Sequence, residues 1–119
     1  MQVTTLFVEN LDQILSVPNL TGIYIGPADM SSSYGLPPKF DVREDPVFSN
    51  IKLIVKKAKE YNKIAGIHNG STEYAKEMIG IGYKLVTILS DFRVMSFNSQ
   101  KIIDEMKDRN PIKEKSSTY

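Results

Sequence analysis

Four times along the chain a short apolar run gives way to a segment whose apolar residues recur every three or four positions. The first run, Gln2-Val3-Thr4-Thr5-Leu6-Phe7, is β-branched and aromatic and predicts a strand. Val8, Leu11, Ile14 and Leu15 after it share one face of a predicted helix. Gly22-Ile23-Tyr24-Ile25-Gly26 predicts a second strand, and the Ser-, Gly- and Pro-rich stretch beyond Pro27 predicts a long loop. Pro46 suits a helix start and Asp45 can cap it; Ile51, Ile54, Val55 and Ala58 then line one side, with Lys52, Lys56, Lys57 and Glu60 around the other. Ile64-Ala65-Gly66-Ile67-His68 predicts the third strand, and Ser71 opens a helix ending at Gly80 or Gly82. Tyr83 to Leu89 predicts the fourth strand, and Ser90 or Asp91 caps a last helix reaching about Arg109. Residues 1–109 therefore read as one domain, and 110–119 as a polar tail.

These strands are nearly continuous in apolar residues rather than alternating, as in sheets buried on both faces, which are usually parallel. The expected class is α/β, with a parallel sheet of four βα units joined by right-handed crossovers. A small doubly wound sheet fits the length. A (β/α)8 barrel needs about 250 residues and eight units, so the chain would be half of one. Spacing leaves both open.

Composition narrows the function without naming it. Fifteen basic and fourteen acidic side chains leave a net charge of +1, and no basic cluster stands out, which argues against nucleic-acid binding. The absence of cysteine removes disulfides and thiolate metal sites. No apolar run approaches the ~20 residues of a membrane span, and MQVTTLFVEN lacks the basic start and apolar core of a signal peptide. A cytoplasmic enzyme or binding domain is the expectation.

The stretch GIYIGPADMS, residues 22–31, resembles the signature G-[VIL]-[FY]-I-G-P-A-D-L-S of the HpcH/HpaI aldolase/citrate lyase family. VENLDQILSVPNLTG before it is similar to that family's A-V-E-N-L-D-E-I-L-A-V-P-G-V-D-G. NKIAGIHNGSTEYAKEMIGIGYKLVTILSDFRVM is similar to its later G-K-x-x-G-I and G-[FY]-x-L-V-T-x-x-S-D segments. The resemblance runs from Gln2 to about Met95 and implies the C-terminal half of a TIM-type (β/α)8 barrel. It also implies a class II aldolase that splits 4-hydroxy-2-oxo acids into pyruvate or a related 2-oxo acid plus an aldehyde. The implied cofactor is Mg²⁺ or Mn²⁺, more rarely Co²⁺, because a hard cation stabilises the enolate left by cleavage.

Carried over by position, Asp29 matches the metal-binding acid, and Gly26, Pro27 and Ala28 match the turn that receives the substrate carboxylate. Gln2 matches a substrate-side glutamine, and Tyr24 lies where its ring would sit under the pocket. Thr4 stands where the family has a second, glutamate ligand, which implies weakened metal binding. The family's histidine base and its arginine belong to strands outside this chain. His68, the sole histidine, matches a position beside the substrate, not the base. Each residue also has a plainer reading: Asp29 as a turn cap, Thr4 as an ordinary strand residue, Tyr24 as core, His68 bonded to a neighbouring loop. The expected partners are a small 2-oxo acid and either further copies of the chain or an N-terminal half-barrel polypeptide. The alternative to an aldolase is a non-catalytic half-barrel acting as an assembly or binding module.

Overall fold

The computed structural model describes residues 5–107. Its elements run α1 (Thr5–Glu9), α2 (Leu11–Leu15), β1 (Gly22–Ile25), α3 (Pro27–Ser33), α4 (Val47–Glu60), β2 (Ile64–Asn69), α5 (Thr72–Ile81), β3 (Leu85–Ile88) and α6 (Asp91–Met106). Among the described residues three strands form one sheet in the order β1-β2-β3, parallel throughout. Gly22 to Ile25 pair in register with Ile64 to Ile67, and Gly66 to Asn69 with Leu85 to Ile88.

Successive side chains point to opposite faces of a strand, so this register sorts the residues into two surfaces. Ile25, Ala65 and Ile67 face the helical layer and are buried against Val47, Ile51, Ile54 and Val55 of α4 and Tyr74 and Met78 of α5. Tyr24, Ile64 and Leu85 stand on the other face, which is exposed. Two tyrosines tie the layers together: Tyr83 Oη donates to the Ile51 carbonyl at 2.8 Å, and Tyr74 Oη to that of Val42 at 2.6 Å.

The capping expectations hold in part. Ser71 Oγ accepts from the Tyr74 N–H and Ser90 Oγ from the Arg93 N–H, while Gly82 closes α5 at φ 120°, a conformation costly for other residues. Asp45 is not the cap itself but lies one residue ahead of it, the N-cap being Pro46, and its Oδ1 accepts from the N–H and the hydroxyl of Ser49.

Two expectations fail. Thr5 to Phe7, read as the end of a first strand, open α1 instead; Gln2 to Thr4 lie outside the described residues. Phe7, Leu11 and Leu15 are all buried, and their spacing of four is a helical period that outweighs the strand propensity of the run. The stretch after β1 is not loop from the start, because Pro27 begins α3 at the first helical position. The hydroxyls of Ser31, Ser32 and Ser33 bond back to the carbonyls of Pro27, Ala28 and Met30, and Met30 is fully buried. Serines that look loop-like in sequence are thus satisfied inside a helix.

Candidate functional site

Strand β1 ends at Ile25, and the chain turns at once into α3, which carries Gly26, Pro27, Ala28 and Asp29 to the C-terminal end of the sheet. Parallel α/β sheets place their chemistry at that end. Asp29 is exposed in the first turn of α3, where a carboxylate is favoured by the helix N–H groups. Its carboxylate folds back over Gly26: a Cβ on that glycine would fall 2.6 Å from Asp29 Oδ2. A side chain at Gly26 would therefore displace the Asp29 carboxylate from this position. Pro27 offers no N–H, so any main-chain donation from this turn falls to Ala28 and Asp29.

His68 sits next to the end of β2. Its Nδ1 lies 2.9 Å from Thr87 Oγ1 on β3 and 3.3 Å from Tyr24 Oη on β1, and Tyr24 Oη lies 2.6 Å from Thr87 Oγ1. Phe40 packs a tilted ring against the imidazole at 5.1 Å, and the Arg93 guanidinium lies over the other aromatic, 4.9 Å from its centroid. The segment carrying Phe40 is pinned by the Gly70 N–H, which donates to Asp41 Oδ1 at 2.7 Å.

These elements enclose a cleft of ≈ 220 Å³ lined by Tyr24, Gly26, Pro27, Ala28, Asp29, Phe40 and His68. The structure therefore brings six of the sequence-singled residues to one place. Gln2 and Thr4 lie outside the described residues. Tyr24, which its pattern places in a core, is instead 36% exposed on the cleft side of the sheet. His68 bonds to a neighbouring strand rather than to a loop. Phe40 and Thr87 went unnoticed in the sequence. An isolated aromatic in the polar stretch GLPPKFD was the available signal for Phe40; Thr87 had none beyond its place in a strand.

The described residues do not by themselves fit a divalent cation. Asp29 is the one carboxylate lining the cleft, and among the described residues no group of three or more His, Asp or Glu side chains is placed to hold a metal. A hard cation wants six or more oxygen ligands, several of them charged.

Burial, and after it the positive charge of Arg93, hold the His68 pKa below its ordinary 6.5, with Asp41 pulling the other way. The folded chain then binds fewer protons here than the unfolded chain, so the contribution of neutral His68 is complete above about pH 6.5 and is lost as pH falls below it. An NMR titration of this lone histidine is expected to show its midpoint below 6.5. A midpoint at or above that value would contradict the burial seen here.

No family model matches the sequence. Over 98 residues, 82% of its length, the chain is 32% identical to a hydroxypyruvate/pyruvate aldolase of Rhizorhabdus wittichii and spans 39% of that protein. It is 31% identical over 88 residues to a 2-keto-3-deoxy-L-rhamnonate aldolase of Escherichia coli, covering 74% of the chain and 32% of the relative. Among solved structures, an HpcH/HpaI aldolase/citrate lyase family protein from Burkholderia cenocepacia superposes with a TM-score of 0.80 at 25% identity, over 89% of this chain and 41% of that one. The fold is α/β and TIM-barrel-like, and the chain spans less than half of each of these proteins.

Proposed function

Since the chain belongs to the HpcH/HpaI aldolase/citrate lyase family, we propose that its cleft is one share of an aldol-cleavage site for 4-hydroxy-2-oxo acids. The observation that carries this reading is the convergence of Tyr24, the Gly26–Asp29 turn and His68 on one cleft at the C-terminal end of a parallel sheet. In the reaction the 4-hydroxyl proton leaves to a base and the C3–C4 bond breaks. An aldehyde departs, and the electron pair remains as the enolate of pyruvate or a related 2-oxo acid. Both curated relatives are named for 2-oxo acid aldol chemistry.

In this reading the chain is the C-terminal half of a (β/α)8 barrel working in the cytoplasm. Asp29 is its one carboxylate for a divalent cation site, which is weakened by Thr4 at the position of the second, glutamate ligand. Such a cation, when bound, supplies a positive charge beside the enolate oxygen. This chain's own residues hold the substrate: the Gly26–Ala28 turn by close backbone approach and Tyr24 and His68 from the sheet, to which Gln2 adds a substrate-side amide by the family resemblance. The partner is either a polypeptide carrying the first units or another copy of the chain.

The experiment joins the chain, covalently or by mixing, to a polypeptide bearing the first four units of a family barrel. Released pyruvate is followed through lactate dehydrogenase. Turnover of a 4-hydroxy-2-oxo acid by the joined barrel supports the reading. A correctly assembled barrel that releases none refutes it and leaves the chain as a binding or assembly module.

A further inference from the structure

Three atoms on three adjacent strands meet on the open face of the sheet: Tyr24 Oη, Thr87 Oγ1 and His68 Nδ1. Two arrangements of their hydrogens run head to tail along the two shorter contacts. In one, Nδ1 carries the proton and donates to Thr87, Thr87 donates to Tyr24, and the phenol proton is left over. In the other, Tyr24 donates to Thr87, Thr87 donates to a bare Nδ1, and both hydroxyl protons are used inside the set. The second is favoured on chemical grounds. A phenol is a stronger donor than an aliphatic alcohol, and an imidazole nitrogen is a stronger acceptor than an alcohol oxygen. The 2.6 Å contact from the phenol and the 2.9 Å contact to the ring nitrogen match that order.

The set is held in place by the backbone around it. A Cβ on Gly66 would fall 2.8 Å from Tyr24 Cδ2 and 3.1 Å from Leu85 Cβ, so the glycine is what lets the Tyr24 ring lie across β2 toward β3. Thr87 is β-branched and stiff about χ1. Phe40 stacks on the other side of the imidazole. With Nδ1 turned to Thr87, Nε2 is the ring nitrogen that remains for the cleft that His68 lines together with Asp29.

We propose that Tyr24 and Thr87 lock His68 as its Nε2–H tautomer, so that it offers the cleft a neutral hydrogen-bond donor for an oxygen of a 2-oxo acid. Thr87 is a positioning residue, acting through His68 without touching the ligand. The locked tautomer rests on these distances and on donor and acceptor strengths; the identity of the ligand rests on the aldolase reading above. A second-strand hydroxyl that fixes the histidine also explains why this imidazole is a donor and not a base in the cleft. With Nδ1 occupied and Nε2 protonated, it has no lone pair to give.

The sole histidine makes the test unambiguous. The full chain is labelled with ¹⁵N-histidine, and the two ring nitrogens are read by magic-angle-spinning NMR above pH 7, which reports the tautomer whatever the state of association. The expected spectrum shows one tautomer, with Nε2 protonated and Nδ1 bare. Thr87→Val is expected to give a mixture of tautomers and Thr87→Ser to keep the single one. Tyr24→Phe, which removes the outer donor, is a second route to the mixture should Thr87→Val fail to fold. Pyruvate added to the wild-type chain is expected to shift the Nε2 resonance while leaving Nδ1 in place. An Nδ1–H tautomer in the wild type, or a folded Thr87→Val chain with an unchanged spectrum, overturns the lock. A locked tautomer that pyruvate leaves unmoved overturns the 2-oxo acid as ligand and leaves the lock standing.

Discussion

Without the remaining barrel units, the chain is expected to release no measurable pyruvate from 4-hydroxy-2-oxo acids, with or without Mn²⁺. Two magnitudes decide this. General acid–base assistance contributes about 10²–10⁴-fold, and a positioned donor or cation at a developing oxyanion about 10²–10³-fold. The described cleft holds one carboxylate, Asp29, and one imidazole, whose Nδ1 is already engaged by Thr87. Groups of this kind act as a unit, so a part of the set retains little of the whole. The joined barrel is expected to exceed the lone chain by at least ~10⁴-fold in kcat/KM. Within the joined barrel, Asp29→Ala is expected to lower kcat/KM by ~10²-fold or more, equivalent to about 2.7 kcal/mol of barrier. The coupled lactate dehydrogenase assay measures both. Metal-dependent pyruvate release by the lone chain, abolished by Asp29→Ala, would show that a local group has taken over proton transfer.

At micromolar concentration the purified chain is expected to sediment as a dimer or larger species. The cause is the surface that a three-stranded sheet leaves open. Ile64, Tyr24 and Leu85 stand on the face turned away from the helices, and both outer strands offer parallel-pairing edges within the described residues. Along α6, Phe92, Met95 and Met106 are 66%, 63% and 82% exposed, with Phe97, Ile102 and Ile103 beside them. Soluble monomers seldom present contiguous apolar patches beyond a few hundred Å². At roughly 25 cal/mol per Å² of apolar surface removed from water, covering such a patch offsets a large part of the cost of association. Adding the first-half polypeptide should convert the self-associated material into a defined complex. A monodisperse monomer that unfolds cooperatively would show that the exposed apolar face is tolerated in water.

Much of the architecture was legible because its signals are local. Ser71 and Ser90 cap helices where their side chains were expected to, since an N-cap depends only on the two or three residues that follow it. Strands β1 and β3 fall within the predicted runs and β2 runs one residue past its own, and their continuous apolar character matches the parallel pairing. The segment around Phe7 misled because its four β-branched and aromatic residues, Val3, Thr4, Thr5 and Phe7, favour a strand taken alone, whereas burial with Leu11 and Leu15 favours a helix. Propensity is worth fractions of a kcal/mol per residue, and tertiary burial outweighs it.

The candidate site divides in the same way. Residues 26 to 29 were singled out through the family resemblance, which a contiguous signature such as GIYIGPADMS can carry because it depends only on neighbours along the chain. The partners of His68 were not identified, because Tyr24, His68 and Thr87 are separated by 44 and 19 residues and meet only through the strand register. Which ring nitrogen is occupied, that Gly66 clears the way for a tyrosine ring, and that Phe40 closes one wall of the cleft are all consequences of that register. A one-residue slip of a strand would turn whichever of Tyr24, His68 and Thr87 it carries to the opposite face. The sequence alone could determine composition, the three described strands, the caps of α5 and α6 and the signature turn, since these depend on neighbours along the chain. The cleft and its hydrogen-bonded histidine were decided by tertiary structure, because they depend on distances between atoms that only the paired strands bring together.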